Sequence, residues 1–161
     1  MSAMAGPAQQ TAARGSARRD ALFIAILVIA LLGTLEASYL TFVHYYGLKA
    51  LACSGAHGGG ESTCAAVQSS VYSRLAGIPV AVLGLLGYLT ILGSLRVKGD
   101  LGRGIGFCVA LIGCGFSLYL TYREIFTLKE ICEWCVGSAT LMTILAILTG
   151  IRYIRGEPAA S

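Results

Sequence analysis

Four apolar runs dominate the chain, and together they leave little room for any soluble fold. Residues 21–43 are interrupted only by Glu36, whereas residues 77–95, 104–122 and 134–151 contain no Asp, Glu, Lys or Arg. A helix of about 20 residues spans the ~30 Å of bilayer hydrocarbon, and runs of about 18 or more uncharged residues meet that need. Only 12% of the 161 residues are charged, against about a quarter in a soluble domain. The mean hydropathy of +0.74 agrees. A soluble enzyme, a disordered chain and a secreted disulfide scaffold are all excluded. The expected architecture is an all-α membrane protein, a four-transmembrane-helix bundle with spans at 21–45, 77–96, 103–123 and 132–152. The membrane domain then covers 20–155. Residues 1–19, rich in Ala, Gly, Ser and Gln, read as a disordered tail, and 156–161 as a second short tail.

The basic residues orient these spans. Arg14, Arg18, Arg19, Arg96, Lys98, Arg103, Arg152 and Arg155 fall on one side of a four-span topology, and Lys49, Arg74, Arg123 and Lys129 on the other. The positive-inside rule places both termini in the cytoplasm of a cell inner membrane. The loop 46–76 and the turn 123–133 then face outward. The first run is too long for a signal-peptide core and lacks a small-residue cleavage site close behind it.

Topology sorts the six cysteines into three pairs. Cys53 and Cys64 lie in the outward loop, Cys132 and Cys135 form Cys-Glu-Trp-Cys at the outer end of the fourth span, and Cys108 and Cys114 lie inside the third. Two pairs therefore sit on the face where disulfides persist. A spacing of three places Cys132 and Cys135 on one helix face. A helix N-terminus there stabilises thiolate, the reactive form of cysteine. Cys132 is expected at the water interface and Cys135 a turn deeper, so that one sulfur meets a protein thiol and the other a molecule dissolved in the membrane. Redox chemistry fits this better than zinc, because Cys53 and Cys64 lack the short spacing of a zinc site. The glycine-rich segment between Cys53 and Cys64 predicts a mobile loop, which suits a disulfide that meets two partners in turn. Cys108 and Cys114 are six apart, on different helix faces, and read as small buried residues.

Two further features stand out. Val67, Val71 and Leu75 recur every four residues, with Ser69, Ser70, Ser73 and Arg74 opposite them. This predicts an amphipathic lid helix ending at Gly77, with Pro79 in the first turn of the second span. Glu36 lies inside the first span, where a carboxylate costs about 2.5–3.5 kcal/mol unless paired or neutral. It is a candidate proton carrier, or a protonated side chain bonded to a neighbouring helix. Tyr88, Tyr119, Tyr122 and Trp134 offer bundle packing or the walls of a ring-shaped ligand pocket.

The order Cys53, Cys64, Ser70, Gly77-Ile-Pro79, Gly84, Tyr88 and Cys132-Glu-Trp-Cys135 resembles the vitamin K epoxide reductase family in its small bacterial form. The resemblance implies a four-helix bundle around a quinone (menaquinone or ubiquinone, with no metal), with Cys135 facing the quinone and Cys132 exchanging with a loop cysteine. It implies that Ser70 shapes the site near the cysteines, and that Tyr88, Tyr119 and Ala139 join Cys135 at the quinone. Animal members carry a tyrosine at the position of Ala139, so disulfide formation in exported proteins is expected rather than epoxide reduction. The resemblance also implies a separate thioredoxin-like (DsbA-like) partner on the outer face, reoxidised through Cys53/Cys64, then Cys132/Cys135, then quinone. The alternative from another class is a small four-helix proton-coupled transporter using Glu36, which would have no use for two outward cysteine pairs.

Overall fold

A computed structural model describes residues 7–47, 74–75, 77–128 and 132–156. Cys53, Cys64, Ser70 and most of the expected lid helix lie outside them. Helix α1 runs Pro7–Tyr46. Strands β1 (Arg74–Leu75) and β2 (Ile78–Pro79) form an antiparallel hairpin. Then come α2 (Val80–Ser94), α3 (Asp100–Arg123), a π-helical turn (Glu124–Leu128) and α4 (Glu133–Ile154). The helices pack in a ring: α1 against α2, α2 against α3, α3 against α4, and α4 back against α1.

Three of these helices are long and apolar enough to cross a membrane, while α2 is apolar but has 15 residues. At 1.5 Å per residue α2 is about 22 Å long. The second expected span is therefore shortened at its start, because the hairpin takes Ile78 and Pro79 out of helical geometry. Gly77 supplies the positive φ of 86° that the hairpin turn demands. Strand β1 also corrects the expectation of a lid helix reaching Gly77, since Arg74 and Leu75 pair in register with Pro79 and Ile78.

Helix α1 begins at Pro7, well before the expected start near residue 20. The segment read as a disordered tail is helical from that point. Pro7 occupies the first helical position, where its missing N–H costs nothing. The following Gln, Ala and Arg residues are good helix formers that extend a helix already nucleated by the apolar span.

Small residues hold the ring together. In lipid, apolar side chains gain little by leaving hydrocarbon, so helix association depends on close packing. Gly102, Gly106, Ala110 and Gly113 form the inward stripe of α3. A Cβ on Gly106 would lie 2.6 Å from Ser94 Oγ, and one on Gly113 3.0 Å from Met142 Sδ. A Cβ on Gly33 of α1 would overlap the Tyr88 ring, which is fully buried. Ile26, Ala30, Ile91 and Leu145 complete the core around it.

The outward faces carry Leu31, Leu35, Leu86, Leu89, Leu111, Ile112, Leu118 and Ile147, an apolar surface that only lipid or another membrane helix would accommodate. Hydroxyls along the helices turn back onto the preceding turn, as Thr34 Oγ1 does to the Ala30 carbonyl and Thr41 Oγ1 to that of Ala37, both at 2.7 Å. Their donors are satisfied without water. Exposed Arg18, Arg19, Arg96, Lys98 and Arg155 gather at the end of the bundle remote from Cys132.

Candidate active site

Cys132 caps the N-terminus of α4 in an extended conformation (φ −92°, ψ 112°). Its carbonyl accepts the Val136 N–H at 3.0 Å, closing the first turn. Leu40 and Val43 from the end of α1, with Tyr39, Ala81 and Trp134, pack around it. The Trp134 and Tyr39 rings lie 5.1 Å apart. Cys132 is consequently buried beneath the end of α1, which the sequence did not lead one to expect. Cys135 is half-buried one turn along, and its thiol hydrogen-bonds the Cys132 sulfur. Both are free thiols. That hydrogen bond draws the Cys132 thiol below the usual cysteine range, against the opposing effects of burial and the charge of Glu124. The pair is thus asymmetric, with Cys132 the more readily ionised sulfur.

Glu124, the first residue of the π-helical turn, completes this end of the bundle. It is buried, its Oε2 accepts the Cys132 backbone N–H at 3.4 Å, and its carboxylate takes a hydrogen bond from the Cys135 thiol. A buried carboxylate needs such partners, and the helix N-terminus favours negative charge beside it. Nothing in the sequence reading singled out Glu124. It stands in a short stretch of mixed charges with Arg123, Lys129 and Glu130, which reads as an ordinary turn. Its spacing of eight residues ahead of Cys132, at the end of an apolar run, was the available signal.

A second polar group lies deeper in the bundle, one helical turn beyond Cys135. The Tyr88 hydroxyl reaches Ser138, 3.2 Å from its carbonyl oxygen and 3.1 Å from its hydroxyl. Glu36 accepts the Ser138 backbone N–H, while its Oε1 is buried with no hydrogen-bond partner among the described residues. Gly137 leaves room for it, since a Cβ there would sit 3.2 Å from Oε1. Glu36 is therefore bonded to a neighbouring helix, α4. Three helices supply this group: α1, α2 and α4.

The other expected residues are less closely gathered. Ala139 lies on α4, half-buried, with its carbonyl accepting the Thr143 hydroxyl at 2.8 Å. Tyr119 is exposed on α3, its ring centroid 6.4 Å from that of Phe116, and does not join Tyr88 and Ser138. The glycine stripe occupies the inward face of α3 and turns Tyr119 away. Cys114 lies 3.5 Å from Thr143 Oγ1, but Cys108 is exposed, which corrects the reading of both as buried. No cluster of three or more His, Cys, Asp or Glu among the described residues is placed to hold a metal ion.

A dithiol at a helix N-terminus, backed by a carboxylate and set above a polar group inside an apolar bundle, has the chemistry to open and close a disulfide. The sequence matches the vitamin K epoxide reductase family over residues 24–150, which takes in α2, α3, parts of α1 and α4, and the Cys132/Cys135 pair. By that match across most of its length, the chain belongs to the vitamin K epoxide reductase family.

Proposed function

We propose that this protein is a quinone-linked thiol oxidase that reoxidises a thioredoxin-like, DsbA-like partner and so drives disulfide formation in exported proteins. Members of its family are membrane oxidoreductases. The observation that carries the finer reading is the Cys132–Cys135 pair, hydrogen-bonded to one another where α4 begins, with the Glu36–Tyr88–Ser138 group one turn below. Family membership leaves the transporter alternative for Glu36 without support.

In this reading all four helices cross the membrane, with both termini in the cytoplasm and the cysteine end outside. Electrons enter from the reduced partner at Cys53/Cys64 and pass to Cys132/Cys135. Each transfer is thiolate attack on a disulfide, so its direction follows reduction potential. Ser70 is assigned to shaping the approach of the loop pair.

The deeper group suits a quinone: an apolar surround, two hydroxyls able to donate to a ring carbonyl, and a carboxyl oxygen with a free hydrogen-bonding site. Cys135, Tyr88, Ser138, Glu36 and Ala139 would hold the ring. When bound, a quinone supplies a two-electron acceptor soluble in the bilayer. Ser138 and Tyr88 orient it, and Leu40, Val43 and Trp134 exclude water from the thiols above.

The test is quinone reduction by purified protein supplied with a reduced thioredoxin-like partner. Turnover by the wild type and none by Cys135→Ala is the expected outcome. Failure of the folded wild type with both menaquinone and ubiquinone analogues would remove the oxidase reading.

A further inference from the structure

Glu124 is buried at the end of α3, and among the described residues the polar contacts of its carboxylate are with the redox pair: the Cys132 N–H at 3.4 Å and the Cys135 thiol. A carboxylate needed only to cap α4 would be satisfied by backbone N–H groups. This one also holds the sulfur of the deeper cysteine, the atom that must gain and lose a proton each time the disulfide opens and closes. We propose that Glu124 is a catalytic acid and base for Cys135, holding the proton of that thiol whenever Cys132 and Cys135 are joined as a disulfide. The proposal rests on the redox reading of the pair given above.

The step balances. An incoming thiolate attacks Cys132 Sγ, forming a mixed disulfide with it, and the S–S bond to Cys135 breaks. The bonding electron pair goes to Cys135 Sγ, and the Glu124 carboxyl proton moves to that sulfur. One negative charge enters on the attacking thiolate and one remains on the Glu124 carboxylate. On reoxidation the proton returns from the Cys135 thiol to Glu124 as the sulfur becomes a nucleophile. Without a donor, the leaving sulfur would stay a thiolate inside an apolar bundle, where an uncompensated charge is costly. The leaving thiol's protonation therefore governs the rate.

Among the described residues, the titratable and charged groups near Glu124 come from three elements. Helix α4 presents Cys132 and Cys135 with Glu133 between them in the chain, α1 presents Tyr39 in the cluster around Cys132, and Arg123 precedes Glu124.

The experiment needs no quinone and no partner. The full chain carrying Cys53→Ala and Cys64→Ala is oxidised, and opening of the Cys132–Cys135 disulfide by dithiothreitol is followed through the fluorescence of Trp134, the chain's one tryptophan. Rates are corrected for the thiolate fraction of dithiothreitol at each pH. Glu124→Gln retains an oxygen for the Cys132 N–H and nearly the same volume but has no proton to give. It should open about 100-fold more slowly at neutral pH, in keeping with the loss of one general acid. The corrected wild-type rate should fall as the carboxyl loses its proton with rising pH, and the Gln variant should lack that fall. Glu124→Asp, which restores an ionisable group, should recover part of the rate and the pH dependence. That recovery distinguishes proton transfer from a merely structural role, including in the case where Gln reduces folding.

A corrected rate for folded Glu124→Gln within about twofold of wild type would overturn the role of Glu124 and leave the oxidase reading standing. The same holds if Glu124→Asp recovers neither rate nor pH dependence. A wild-type pair that forms no disulfide under oxidation would remove both.

Discussion

Two carboxylates enter the apolar bundle, and the contrast between them separates its two working regions. Glu124 lies at the start of α4, with the Cys132 N–H and the Cys135 thiol as partners. Glu36 lies deeper, bonded through the Ser138 N–H, with one oxygen unpartnered against Gly137. A helix N-terminus offers free N–H groups and a favourable dipole, so Glu124 is held by the thiols' own helix. Inside a helix most N–H donors are committed to the preceding turn, and Glu36 takes only that of Ser138. A carboxyl there keeps spare hydrogen-bonding capacity, which is what an exchangeable ligand requires. The same side chain is thus engaged with the thiols at one level and left receptive at the next.

The contrast can be broken from the deeper side first. Gly33→Leu should have the largest effect, because it drives a side chain into the Tyr88 ring that carries the deeper group. An overpacking cost of about 1–3 kcal/mol is expected, seen as a lower thermal midpoint in detergent. Loss of quinone turnover should accompany it, and an unchanged midpoint would contradict the close α1–α2 packing.

Glu36→Gln should act more selectively. It removes an ionisable group while preserving shape, and a rise of about tenfold in the KM for quinone, equivalent to about 1.4 kcal/mol, is expected. Because Glu36 contacts Ser138 rather than either sulfur, opening of the Cys132–Cys135 disulfide by dithiothreitol should be less sensitive to this change than to Glu124→Gln.

The smallest effect sharpens the cysteine end. The Cys132 thiol is held below its ordinary range mainly by the hydrogen bond from Cys135, so the reduced protein should lose this proton at a lower pH than an ordinary cysteine does. Removing the donor in Cys135→Ala should move the titration upward, as read by the ultraviolet absorbance of the thiolate. No upward movement would mean that the helix N-terminus alone sets it.

The two carboxylates were not equally legible. Glu36 interrupts an otherwise uncharged run, so its cost in hydrocarbon announces it. Glu124 sits where charges are ordinary, and only the packing of the α3 terminus beneath α4 reveals that it is buried. The spacing of Cys132 and Cys135 made their meeting at the start of a helix legible, but the burial of Cys132 was not. It depends on how far α1 runs, and a helix end that covers another element leaves no periodic signature. Tyr88 and Tyr119 looked alike as aromatic residues in apolar spans. Gly33 admits the first to the core, while the glycine stripe of α3 turns the second outward. The hairpin before α2 was missed because Arg74 and Leu75 fit the end of a helical period as well as a two-residue strand, and the φ of 86° at Gly77 decided between them.

The sequence by itself determined that the chain is a helical membrane protein, that Cys132 and Cys135 lie together at a helix start, and which family it resembles. Hydrocarbon thickness, charge placement and cysteine spacing are one-dimensional constraints, and they act on segments one at a time. Only the tertiary structure decided which groups surround the pair. Glu124 and Cys135 come from different helices, as do Glu36, Tyr88 and Ser138, and their meeting depends on glycines that allow backbones to approach closely. Side chains that converge from separate helices leave no shared pattern along the chain, because packing in three dimensions is what brings them together.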